Sequence, residues 1–456
     1  MHGLACPRCQ ADLEKSAQGN LTCRPCGTTY PMLGSTPFLY PDPGRALQDW
    51  RCRFSRLTSE IQSRIDAIEQ SSPGTQCGHE RLAKLSQAYH GYLEELAGVL
   101  APLRPGAPVA EEVHLALGSG HALDAYHGNI FRDWCWGQEE NSLVLQHLTG
   151  MLETQPRRVL VLGSGAGRLA FDLHQHFCLA GGSQNDQQAR TSNLTTIALD
   201  SNPLLSLVAG AMFQGQPLTL TEFPRAPVAA DDVAVRHTLN SVAAEPGLVS
   251  VCADALATPF APRSFDLVVT SWLLDVMESP LADMVNRVAQ LLSEGGIWIY
   301  HGSVAFTSSD PAQMWSKEDL REIAEGQGFE ISGSQDMRLP YLNSPHSRMH
   351  RSELVHTLLA VRKAQTVKQS TCAQADSPPW LQDTSLPIPR TEEFRLQLTT
   401  TRIRAFLMGL IDGKRSVRDI AKVLEQERLM PASEAFGAVR NFLSTMHDEA
   451  QARRRG

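Results

Sequence analysis

An α/β fold, a parallel sheet with helices on both faces, is what the sequence predicts, and two observations predict it. Apolar strand-like runs alternate with helix-patterned segments from residue 159 to residue 300, an order that requires crossover helices. The first run also breaks into a glycine-rich turn just where a helix begins. Four paired cysteines at the start and a helix-patterned stretch at the end add a small N-terminal ribbon and a small helical C-terminal domain.

The first strand and its turn read VLVLGSGAGRLAFDL, residues 159–173, with Gly163, Gly165 and Gly167 followed by Arg168. Positions without a side chain let the backbone turn sharply and approach a ligand, beside the amides of a helix N-terminus. Alone, the pattern also fits an ordinary strand-to-helix turn, and the later strands decide it. TIAL, 196–199, ends at Asp200, placed to accept hydrogen bonds from a ribose at the tip of the second strand. LVSV, 248–251, leads to Asp254, which suits an adenine amine. FDLVVTSW, 265–272, carries Ser271 near its end, and GGIWIY, 295–300, follows the helix-like LADMVNRVAQLL. Such sheets bind ligands at the carboxyl ends of their strands, where Gly163, Asp200, Asp254 and Ser271 fall.

These ordered motifs resemble the class I S-adenosylmethionine-dependent methyltransferases, which have a Rossmann-like sheet. FRDWCWGQEE (131–140), VLVLGSGAGRLA (159–170), SFDLVVTSWLLDVM (264–277) and GGIWIYHG (295–302) resemble, in the same order, the carnosine N-methyltransferase family over residues 125–363. The resemblance implies that the three glycines and Arg168 cradle S-adenosyl-L-methionine, with Asp200 on its ribose and Asp254 on its adenine. It also implies roles for Arg132, Asp133 and Trp134. Arg132 has a planar fork of donors for the methionine carboxylate, and Trp134 a ring to wall the sulfonium. The alternative for this motif is a structural helix cap with a packed indole.

Asp275 matches an aspartate the family carries after its fourth strand. Methyl transfer is an in-line displacement that needs an aligned, uncharged nucleophile. For an imidazole acceptor, a carboxylate taking the other ring N–H fixes the tautomer and stabilises the cation that forms. The competing reading of Asp275 is a helix N-terminal carboxylate. Tyr341, in RLPYLN, matches a substrate-side tyrosine. The family's histidine beyond GGIWI is missing from GSVAFTSSD, leaving His301 as the nearest substitute, and its tyrosine cluster reads MHRSELVHTLLAVRK here. The expected acceptor is therefore an imidazole- or histidine-containing small molecule or peptide, with a pocket altered from that for carnosine.

Cys6, Cys9, Cys23 and Cys26 form C-x2-C-x13-C-x2-C in residues 1–42. Two thiolate pairs converging on one tetrahedral ion leave no position for water, as in a structural Zn2+ ribbon. The ribbon resembles those attached to some RNA methyltransferases, so RNA is the second acceptor class, and a non-catalytic recognition protein is the third reading. Residues 43–124 hold two helical stripes, Trp50, Phe54, Leu57, Ile61, Ile65, Ile68 and Leu82, Leu85, Tyr89, Leu93, Leu96, Leu100. They read as core packing, or as a cover over the active-site mouth. Residues 181–193 are polar and glycine-bearing, as expected of a surface loop, and 214–247 form an insertion without a motif.

Residues 364–383 have a linker's composition. Residues 384–456 form a helical unit in which Ser416 and Asp419 make a capping box for SVRDIAKVL. LIDGKRSVRDIAKVL resembles the peptide-binding winged-helix modules of the PqqD type, which implies a peptide partner; an ordinary packed appendage is the alternative.

The 456 residues allow two to four domains, and 42% hydrophobic content supports a real core. The balance of 41 basic against 49 acidic residues, net −8, disfavours whole-surface attraction to nucleic acid. No leader and no membrane-length apolar run is visible, so the expected location is cytoplasmic, without a membrane partner. Six further cysteines without paired spacing, Cys135 among them, fit reduced thiols.

Overall fold

The computed structural model describes residues 3–103, 122–179, 194–277, 280–307 and 311–363, and scattered stretches from 387 to 446. The predicted loop at 181–193 and the linker at 364–383 lie outside the described residues. Two compact units divide the chain, Met1–Thr366 and Val367–Gly456.

In the first unit, short antiparallel strands build the ribbon: Glu14–Lys15, Leu21–Thr22 and Thr29–Tyr30, then a hairpin of Met32–Leu33 with Thr36–Pro37. Helix α1 (Pro43–Glu69) starts where Asp42 accepts from the Arg45 amide at 3.0 Å, with proline at its first position, where the missing N–H costs nothing. It buries Trp50, Leu57, Ile61 and Ile65 of the predicted stripe, with Phe54 and Ile68 half-buried. Helix α2 (Gln76–Val99) buries Tyr92 and Leu96, with Leu82, Leu85, Tyr89 and Leu93 half-buried.

The central sheet has seven strands: β1 (Arg158–Leu162), β2 (Thr195–Asp200), β3 (Leu248–Cys252), β4 (Phe265–Ser271), β5 (Leu292–Gly302), β6 (Phe329–Tyr341) and β7 (Arg351–Arg362). Their order is β3-β2-β1-β4-β5-β7-β6. The first five are parallel, and β7 runs antiparallel between β5 and β6. Runs such as RVLVL are apolar along their length because helices cover both faces. One core joins the sheet to α1, α2, α4 (Arg168–Leu179) and α5 (Pro203–Phe213). The other joins it to the ribbon, α6 (Leu281–Leu291) and α7 (Lys317–Gly326). Helix α3 (Gln138–Gly150) precedes β1.

Register brings the predicted ligand positions to one edge. Cys252 pairs with Asp200, Leu162 with Leu199 and with Thr270, and Ser271 with His301. Strand order reverses between β1 and β4, and a crevice opens at that switch point.

The 214–247 insertion contains a hairpin, Leu218–Glu222 with Val235–Leu239, that braces α2. Phe223 stacks on Tyr89 with ring centroids 4.2 Å apart, and Arg236 pairs with Glu95 at 3.0 Å. In the second unit, Val417–Gln426 is a helix with the predicted Ser416–Asp419 capping box. Leu407, Ile420, Ala421, Leu424, Ala435 and Val439 bury one another there, whereas Phe406 and Phe436 stay exposed. Among the described residues, no helix is long and apolar enough to cross a membrane.

Candidate active site

A cavity of about 1010 Å³ opens at the carboxyl ends of β1, β2, β3 and β4. Its floor is the β1 turn. Gly163 has φ 67°, and a Cβ there would come within 2.9 Å of Leu273 Cδ1, so only glycine fits. The Gly165 amide donates to Asp200 Oδ2 at 2.9 Å, and the Asn202 amide to Asp200 Oδ1 at 2.8 Å. These bonds orient the carboxylate at the strand tip, on the cavity wall. Asp254 accepts from the Leu256 amide at 2.9 Å, and it and Ser271 also line the cavity.

On the opposite side, Trp272 sits in the left-handed region at φ 53°. A bulky residue held there marks stored strain, which clusters at functional sites. Its ring packs on Tyr341 at the end of β6, with centroids 4.2 Å apart. Burial holds the Tyr341 phenol above its ordinary range. Asp275 follows in a short 3-10 turn, Leu274–Val276. Its Oδ2 accepts from the Ser303 hydroxyl at 2.6 Å, while Oδ1 is buried without a partner among the described residues. Both residues line the cavity.

Arg132 reaches the cavity from a π-helical turn, Arg132–Trp136. Its guanidinium is bonded to Asp133 by Nε at 2.8 Å and NH2 at 2.7 Å, and to Glu140 by NH1 at 3.3 Å. Burial opposes its charge, but the two carboxylates hold it above its ordinary pKa; burial in turn raises both carboxyls. Three of the five donors expected for a cofactor carboxylate are thus taken.

A family model described as a methyltransferase domain matches residues 160–300, the segment holding the glycine turn, both strand-tip aspartates and Asp275. The central domain is an S-adenosylmethionine-dependent methyltransferase. Among similar solved structures is an S-adenosylmethionine-dependent methyltransferase of Methanosarcina mazei, 15% identical, covering 48% of this chain and 98% of its own, with TM-score 0.31. Another is the Haemonchus contortus phosphoethanolamine N-methyltransferase 2, 15% identical, covering 53% of this chain and 57% of its own, with TM-score 0.32. No curated protein matches the chain.

Four expected residues lie off the cavity of this methyltransferase domain. Trp134 donates from Nε1 to the Ala166 carbonyl at 2.9 Å, so it props the glycine turn from behind. Arg168 spends its guanidinium on Asp172, the Asp133 carbonyl and Gln138, tying α4 to the π-turn. Gly167 packs against α5, where a Cβ would come within 2.7 Å of Ala209 Cβ and Phe213 Cζ. His301 is fully buried, with Nδ1 2.9 Å from the Thr357 hydroxyl, and burial pushes it down to about 3. As the strand partner of Ser271 it points into the core, so it does not substitute for the family's histidine in the cavity. Cys135 is also absent from the lining.

Sequence reasoning did not single out Ser303, Trp272, Glu140 or Tyr40, all of which line the cavity. Glu140 stood inside the quoted WGQEE run; Ser303 carries no pattern of its own.

In the ribbon, the sulfurs of Cys6, Cys9, Cys23 and Cys26 all lie within 4.8 Å of one another. Cys6 to Cys26 is 3.6 Å and Cys9 to Cys23 is 3.4 Å. Zinc–sulfur bonds of about 2.3 Å put tetrahedral sulfurs about 3.8 Å apart, so the cluster is compatible with a structural zinc ion.

Proposed function

We propose that this cavity transfers a methyl group to the ring nitrogen of an imidazole, carried by a histidine-like small molecule or a peptide. The observation that carries this reading is the Asp275 carboxylate, a residue of the cavity wall, whose Oδ2 is held by Ser303 and whose Oδ1 has no partner among the described residues. An orphaned carboxylate oxygen is costly unless a ligand donates to it, and the non-reacting N–H of an imidazole is such a donor.

S-adenosylmethionine, when bound, supplies an electrophilic methyl on a sulfonium. The glycine turn fits it: the backbone at Gly163 and Gly165 approaches without side chains, and Asp200 and Asp254 offer acceptors for ribose hydroxyls and an adenine amine. Arg132 has two N–H groups left for the carboxylate. The cavity's volume sits at the upper end of roughly 300–1,000 Å³ for small-molecule sites, which leaves space for an acceptor beside the cofactor.

Asp275 accepts the acceptor's spare N–H, so the attacking nitrogen keeps its lone pair. As the N–CH3 bond forms and the S–CH3 bond breaks, the same carboxylate stabilises the imidazolium. Trp272, Tyr341 and α1 shield the reaction from water. In the ribbon, the four cysteines hold a structural zinc ion in this reading.

Labelled methyl transfer to histidine-containing dipeptides, longer peptides and RNA tests the proposal. Label on the imidazole nitrogen, lost in Asp275→Ala while cofactor binding persists, supports it. Uptake into RNA alone overturns it.

A further inference from the structure

We propose that the ribbon is part of the cofactor site: its exit segment, Tyr40 to Asp42, forms one wall together with the start of α1, and Tyr40 is a positioning residue for the turn after β2. The proposal rests on assigning that end of the cavity to the nucleoside.

The chain entering this segment joins the main sheet where the nucleoside contacts converge. Phe38 bridges Cys252 in parallel, and the Leu39 amide donates to the Cys252 carbonyl at 2.8 Å. Two residues later the chain reaches Asp254. Phe38 and Leu39 are fully buried, so the join is a packed edge. Helix α5 makes room for it at Gly210, where a Cβ would come within 2.7 Å of Thr36 Oγ1.

The Tyr40 hydroxyl then donates to the Ser201 carbonyl at 2.5 Å, one residue beyond Asp200. Asp200 is thereby held from two sides, by the glycine turn through Gly165 and by the ribbon through Ser201. Asp42 caps α1, which brings Asp49 and Trp50 to the same cavity. No residue from 36 to 50 belongs to the matched segment 160–300, so the wall is supplied from outside it. Because the ordered ribbon favours an ordered wall, zinc in the ribbon and cofactor in the cavity strengthen each other's binding.

Calorimetric titration of S-adenosylhomocysteine into the full chain tests this, with wild type, Tyr40→Phe and Asp200→Asn compared. Loss of one hydrogen bond predicts about three- to tenfold weaker binding for Tyr40→Phe, with KM for S-adenosylmethionine rising and kcat preserved. Stripping the ribbon metal with a chelator, checked by metal analysis, is expected to weaken binding further, and added zinc to restore it. If Tyr40→Phe and the stripped protein bind as wild type while Asp200→Asn binds at least tenfold weaker, the ribbon is a separate module and the proposal falls. If Asp200→Asn also binds as wild type, the nucleoside assignment falls with it.

Discussion

The Ser303 hydroxyl donates to one oxygen of Asp275 at 2.6 Å and leaves the other buried, with no partner among the described residues. The first bond fixes the carboxylate plane, and the second oxygen sets what the acceptor must offer. Asp275→Asn puts an amide in that position, which keeps the shape but loses the charge opposite the developing cation. Activity is expected to fall at least about 100-fold, the scale seen when a positioned electrostatic partner is removed, with S-adenosylhomocysteine affinity within about twofold. Ser303→Ala, which frees the carboxylate to rotate, should cost about tenfold in kcat/KM, at the scale of one hydrogen bond to a charged group. Steady-state kinetics beside calorimetry separates the two. Full activity in Asp275→Asn would remove the carboxylate from the mechanism.

Tyr341 and Trp272 pack with ring planes tilted by 33° and centroids 4.2 Å apart, and the Arg351 guanidinium lies 4.5 Å from the Tyr341 centroid. Tyr341→Phe keeps the ring contact and should keep most activity. Tyr341→Ala loses about 1 kcal/mol of aromatic pairing and uncovers an indole on a strained backbone. KM for the acceptor is expected to rise about tenfold while cofactor affinity stays unchanged. A matched rise in both constants would place Tyr341 on the cofactor side.

The glycine turn and the two strand-tip aspartates that line the cavity were legible in the sequence because backbone chemistry places them. Gly163, Gly165, Asp200 and Asp254 sit at the ends of apolar runs whose alternation fixes the sheet, so locating the strands locates the residues. Arg132 and Trp134 were legible as a motif, but the partners of the one and the direction of the other were not. Nothing in FRDWCWGQEE says that Asp133 and Glu140 engage the guanidinium, or that the indole turns toward Ala166. His301 is close in sequence to the position of the family's histidine but lies outside the cavity. Alternation along β5 puts its side chain in the core on the α1 and α2 side of the sheet. Ser303 and Tyr40 were illegible: each acts through one contact across 28 or 161 residues, and only the folded chain creates it.

Gly163 and Gly167 both have positive φ, 67° and 86°, yet they face different neighbours. An alanine at 163 would press on Leu273 in the cavity wall; one at 167 would press on Ala209 and Phe213 in α5. Each should lose about 1–3 kcal/mol of stability to left-handed strain and crowding. Cofactor affinity is expected to drop at least about tenfold in Gly163→Ala and to change far less in Gly167→Ala once the protein is folded. Urea melts paired with calorimetry on both variants check this, and equal affinity losses would put Gly167 at the ligand as well.

His301 ties stability to pH. Burial pushes its imidazole down to about 3, against about 6.5 in the unfolded chain. Between those values the unfolded chain binds a proton that the native state refuses. The depressed folded pKa therefore contributes stability that is complete above about pH 6.5 and declines as pH falls toward 3, at up to about 1.4 kcal/mol per pH unit. From pH 7 to pH 5 this one ring accounts for about 2 kcal/mol of lost stability. His301→Gln cannot titrate, so its urea-derived stability should fall by about 2 kcal/mol less than wild type over that interval, whatever its stability at pH 7. Parallel pH slopes for the two proteins would mean that the ring takes up its proton normally in the native state, which a fully buried imidazole bonded to Thr357 alone among the described residues does not allow.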